Sequence, residues 1–153
     1  MAANAHSLTT PRTKSKIGIR LIRVAALYLV GGVSLGIVMG VSHDFSMLSV
    51  HTHILLLGWA TMVITGVVYV VLPACEASWL AKVHSWSLNT GLPVMILGLI
   101  LISFGNKLGE KIVGPGAFVL LAAVVAFTVN VFLNGRPDLP KSRDTTTCLL
   151  LNG

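Results

Sequence analysis

Charge is scarce in this sequence, and the scarcity excludes most soluble folds. Only 10% of the 153 residues are charged and five are acidic, whereas a soluble domain carries about a quarter charged residues. No two carboxylates share an apolar segment, no nucleophile has a neighbouring base, and no glycine-rich phosphate loop occurs, so no catalytic constellation can be assembled from sequence. Two cysteines, Cys75 and Cys148, are too few for a disulfide framework. Cys148 is sixth from the end and does not form a prenylation box. Strict polar/apolar alternation is missing too, which excludes a spanning β-barrel.

Long uncharged runs are what the sequence has in their place. Val24 to Val41 holds 18 residues without a charge, Ile54 to Leu72 holds 19, Leu88 to Phe104 holds 17 and Ile112 to Leu133 holds 22. A helix of about 20 apolar residues crosses a hydrocarbon core of ~30 Å. Lipid offers the backbone no hydrogen bonds, so each run must satisfy its own amides as a helix. The expected fold is all-α: a four-helix transmembrane bundle with helices at about 17–41, 48–73, 83–105 and 112–134. A basic tail, 1–16, precedes it and a polar tail, 136–153, follows. The first run has no small-residue cleavage pattern after it and reads as a retained span, not a signal peptide.

Lysine and arginine set the orientation. Five lie in the N-terminal segment (Arg12, Lys14, Lys16, Arg20, Arg23), one in the second loop (Lys82) and three after the last span (Arg136, Lys141, Arg143). The first loop has none and the third has two, Lys107 and Lys111. The positive-inside rule then places both termini in the cytoplasm and the first and third loops outside. Both cysteines fall on the inner side, where thiols stay reduced. A bacterial or archaeal inner membrane is the simplest host. A basic tail on a span is ordinary, so no nucleic-acid partner is expected.

Small and polar residues inside the spans predict packing. Gly32, Gly36 and Gly40 recur at spacing four and form a seam for close approach of another helix, which predicts a homo-oligomer or a larger complex. Asn89 and Asn130 are expected to be interhelical hydrogen-bond partners. Pro93 should kink its helix. Trp79 and Trp86 flank the second loop and suit an interfacial belt.

Histidines carry the chemical signal, because ionisable groups near a membrane are costly. His43 sits in the first loop beside Asp44; His51 and His53 open the second span at its outer end. Residues two apart on a regular helix point about 200° from each other, so one helix does not aim both at one metal. His51 shares a face with Gly58 and Thr65, where small side chains leave room for a flat macrocycle. Imidazole suits haem iron, copper and zinc alike. His84 opens the third span on the inner side, about 33 Å along the bundle from His51 at ~1.5 Å per residue. It is read as an interfacial histidine or a second site.

The residues around these histidines add a family likeness. His51-Thr52-His53, Gly58-Trp59, Gly66, Tyr69 and Pro73 give HTHxxxxGWxxxxxxGxxYxxxP. This resembles helix two of the catalytic subunit of the haem-copper oxidase superfamily, the nitric oxide reductases and C-family oxidases above all. The stretch Leu80 to Pro93 extends the likeness into helix three. The chain also looks like short stand-alone membrane proteins labelled as oxidase subunit I-like. The resemblance, which covers His43 to Leu101, implies that His51 is an axial ligand of a low-spin haem b, with His53 the rival after a two-residue slip. The family's second axial ligand, its copper-binding histidines and its high-spin haem ligand have no counterpart here. The implied protein is therefore not an oxygen or nitric oxide reductase by itself, but a haem-b-binding membrane protein in electron transfer or in redox or gas sensing. Two alternatives stand beside it: a copper- or zinc-binding or assembly protein using His43, His51 and His53, and a cofactor-free accessory subunit.

Overall fold

The computed structural model describes residues 15–136. The basic residues Arg12 and Lys14, the polar C-terminal tail and Cys148 lie outside them. Four helices are long and apolar enough to cross a membrane: Lys16–Ser42 (α1), Leu48–Val71 (α2), Trp79–Ser103 (α4) and Leu108–Asn134 (α5). A short helix, Pro73–Ala77 (α3), joins α2 to α4. The chain is a multi-pass membrane protein, and most of its large exposed side chains are aliphatic or aromatic, as a lipid-facing surface requires.

Local chemistry sets the helix ends. Ser15 caps α1, its Oγ accepting from the Gly18 amide at 3.1 Å. His43 ends α1 in the left-handed conformation, φ 54°. Asp44 then turns the chain, accepting from the Ser46 amide at 2.9 Å, and that bond holds the exposed carboxyl below its ordinary pKa. Leu72, which precedes a proline, leaves the helical region (φ −115°, ψ 83°) and ends α2; Pro73 then opens α3. After α4, Gly105 takes φ 73°. Its amide donates to Ile102 at 2.8 Å and that of Asn106 to Leu101 at 2.9 Å, the two bonds of a Schellman stop.

The bundle is two tight hairpins with sparser contact between them. In the α4–α5 hairpin glycines bring backbones together: a Cβ on Gly98 would lie 2.8 Å from the Val113 amide nitrogen, and one on Gly116 would lie 2.8 Å from that of Met95. In the α1–α2 hairpin Gly18 and Gly66 face each other in the same way. The expected glycine seam belongs to this hairpin. Gly32 packs on Leu55 and Gly36 on His51, both within the chain, while Gly40 has nothing within 4 Å.

The hairpins are tied at the end that carries both termini. The Ile17 amide donates to Glu76 Oε1 at 2.6 Å, and Arg20 donates to Ser85 Oγ at 3.0 Å. Tyr69 Oη lies 3.0 Å from His84 Nδ1, and Asn130 Nδ2 donates to the Cys75 carbonyl at 2.9 Å. These bonds link α1 to α3, α1 to α4, α2 to α4 and α5 to α3. Apolar surface gives helices no preference for each other over lipid, so polar contacts of this kind and close packing hold a membrane bundle together.

Candidate functional site

The second span contains a feature that its sequence does not announce. Ile54–Thr61 is a π-helical segment, with Thr61 Oγ1 donating to the Leu56 carbonyl five residues back at 2.9 Å. Such insertions are rare and cluster at functional sites. This one starts directly after His51-Thr52-His53.

His51 is half-buried between α1 and α2. Its Nδ1 lies 2.9 Å from the Gly32 carbonyl oxygen. A carbonyl oxygen only accepts, so Nδ1 carries a proton, and in the neutral ring the lone pair is then on Nε2. The ring is seated on Gly36, where a Cβ would come within 2.8 Å of its Cε1. Glycine at 36 therefore makes the space for the imidazole, and glycine at 32 lets α2 approach closely enough to use the backbone as acceptor. Beside His51 a shallow groove of ≈ 320 Å³ opens to the lipid side, lined by Thr52, Leu55, Leu56, Trp59 and Ala60.

The other predicted residues do not join it. His53 turns to its own helix, Nδ1 donating to the Ser49 carbonyl at 2.7 Å. His43 is exposed in the first loop. Among the described residues no three His, Cys, Asp or Glu side chains converge as a metal site. Gly58 does share the face of His51 that looks onto α1, but the expected room is taken: a Cβ there would lie 2.6 Å from the Tyr28 ring. Thr65 is buried and spends its hydroxyl on the Thr61 carbonyl at 2.9 Å.

His84 departs from the interfacial reading. It is 1% exposed, paired with Tyr69 and stacked beside Phe127 at a centroid distance of 5.2 Å. The reason is its position on the second turn of α4, on the face with Ser85 and Leu88 that meets the other helices. Asn89 differs from expectation as well, since it donates to Ser85 of its own helix at 2.6 Å. Cys75, buried in α3, has its thiol pKa pushed up by burial. Tyr28, expected as a core or interface anchor, packs on Gly58; Ser85 and Glu76 escaped the sequence reading because their partners lie 65 and 59 residues away, and the only local hint was polar character at span ends.

No family model, no curated protein and no solved structure matches this chain.

Proposed function

We propose that this is a small haem-b-binding protein of an inner membrane, with both termini cytoplasmic, and that His51 is an axial ligand. The single observation that carries the reading is the His51–Gly32 contact. A metal-ligating histidine characteristically donates its other ring N–H to a carbonyl or carboxylate, which fixes the tautomer and aims the ring. His51 has that arrangement, which in the neutral ring leaves Nε2 as the donor atom. The resemblance of the HTH-GW segment to the haem-bearing helix of the oxidase superfamily points to the same residue.

Each neighbour has a task in this reading. Gly36 admits the ring, Gly32 orients it, and Leu55, Leu56 and Trp59 would give a bound haem apolar walls that exclude water. When bound, haem supplies one-electron redox chemistry or a gas-binding iron. Of the candidate second ligands, His43 and His53 do not reach the His51 groove, so a symmetry-related His51 or a partner chain would have to supply the second ligand. Two neutral imidazoles make low-spin iron with little open coordination, which favours electron transfer over gas binding. The copper or zinc alternative is weaker, because among the described residues His43 and His53 do not converge with His51 and no three His, Cys, Asp or Glu side chains come together. The cofactor-free accessory subunit draws on the same contact as the haem reading, since one hydrogen bond also packs α1 on α2.

Absorption spectroscopy of the purified full-length protein, expressed with haem supply, tests the proposal. The expected result is a Soret band with resolved α and β bands on reduction. A colourless, iron-free protein rejects it, and stoichiometric copper or zinc instead supports the rival.

A further inference from the structure

At the end of the bundle where α1 begins and α5 ends, cations outnumber carboxylates among the described residues. Among the described residues this end bears Lys16, Arg20, Arg23, Lys82 and Arg136 against one carboxylate, Glu76, whose Oε1 is engaged by the Ile17 amide. At the opposite end Lys107 and Lys111 are balanced by Asp44 and Glu110. Lys16, Arg20 and Arg23 follow one another at spacings of four and three, so they share a face of α1.

Arg20 is the centre of this cluster. It stands on the second turn of a membrane span, where an unmatched guanidinium is costly. Among the described residues its one side-chain hydrogen bond is to the hydroxyl of Ser85, itself 0% exposed. That bond aims the guanidinium without neutralising it and uses one of its five N–H donors. Two grooves diverge from Arg20. One, of ≈ 350 Å³, is lined by Ser15, Lys16, Ile19 and Arg23; the other, of ≈ 220 Å³, by Ser85, Trp86 and Asn89. Trp86 is 68% exposed, an indole at the depth where such rings meet headgroups and ester groups.

We propose that Arg20 and its two grooves bind the phosphodiester of an anionic phospholipid, held by the fork of the guanidinium and flanked by Lys16 and Arg23. A planar guanidinium matches two phosphate oxygens at once. Lys16 and Arg23 repel the cation of a zwitterionic headgroup and welcome a glycerol one. Basic pockets between spans are the kind of site that selects anionic lipid headgroups. The site lies at the opposite end of the bundle from His51 and does not depend on haem.

Native mass spectrometry of the delipidated full-length protein tests it. Phosphatidylglycerol and phosphatidylcholine with the same acyl chains are titrated separately, and inorganic phosphate is added as competitor. Phosphatidylglycerol should be retained about fivefold better or more, as expected for each cation near an anionic surface. Arg20→Gln keeps a donor for Ser85 and should remove most of that preference. Arg20→Lys keeps the charge without the fork and should remove part of it, while Lys111→Gln should change nothing. If Arg20→Gln fails to insert, Arg23→Gln on the rim of the same groove replaces it and should also weaken the preference. Equal retention of the two lipids, or an unchanged preference in both glutamine variants, overturns the proposal. Displacement by millimolar inorganic phosphate overturns it in favour of a soluble anion.

Discussion

Removing the Tyr69 hydroxyl should loosen the joint between the two hairpins. Tyr69 is fully buried and His84 is 1% exposed, with Oη and Nδ1 3.0 Å apart. Tyr69→Phe deletes only the oxygen, so the ring contacts to His84 (centroids 5.6 Å apart) and Phe127 (5.8 Å) persist. What remains is a buried imidazole nitrogen that has lost its partner. A buried polar group left unsatisfied costs about 1–3 kcal/mol, and hydrogen bonds between membrane helices average ~0.6 kcal/mol with a maximum near 1.7. The expected loss is about 1–2 kcal/mol. Detergent-titrated unfolding of Tyr69→Phe, His84→Leu and the double variant measures it as a cycle. The coupling should be about 0.5–1.5 kcal/mol, with the double variant less damaged than the sum of the singles. A coupling of zero, or a Tyr69→Phe protein as stable as the wild type, refutes the pairing. Trp86→Phe, on the lipid-exposed face, serves as the reference and should be near neutral.

Other positions respond to the same logic. Gly98→Val should cost several kcal/mol or prevent assembly, because its Cβ meets the Val113 backbone, which cannot rotate away; thermal stability in detergent reads this. Gly36→Leu should displace the His51 ring and destabilise the α1–α2 hairpin, whereas Gly40→Leu, in open space, should leave stability unchanged. In a Cys148→Ser background, Cys75 should alkylate slowly near neutral pH and faster as pH rises toward its raised pKa, since only the thiolate reacts; rapid labelling of the folded protein at pH 7 contradicts its burial. Reporter fusions after Asn106 should read as external and fusions at Gly153 as internal, and the reverse pattern overturns the proposed orientation.

The spans were legible because uncharged runs of the right length have one stable form in lipid. Their partners were not. Gly32, Gly36 and Gly40 look alike in sequence, yet the first two pack on Leu55 and His51 of α2 while Gly40 has nothing within 4 Å. His84 read as interfacial from its place near a loop; helix α4 begins at Trp79, four residues earlier than expected, which carries His84 a turn deeper and onto the packed face. The π segment has no sequence signature, since Ile54 to Thr61 is an ordinary apolar run. His51 was singled out by motif. Its orientation follows from a carbonyl 19 residues earlier, and periodicity carries no such information.

The measurement closest to the central claim is the reduced-minus-oxidised spectrum of His51→Ala beside His53→Ala and His84→Ala, each checked for folding by its helical circular dichroism. If His51 ligates haem through Nε2, its removal should abolish the low-spin signal or convert it to high spin, while the His53 and His84 variants keep the wild-type bands. Loss of the bands in His84→Ala with retention in His51→Ala contradicts the assignment and moves the cofactor to the other end of the bundle.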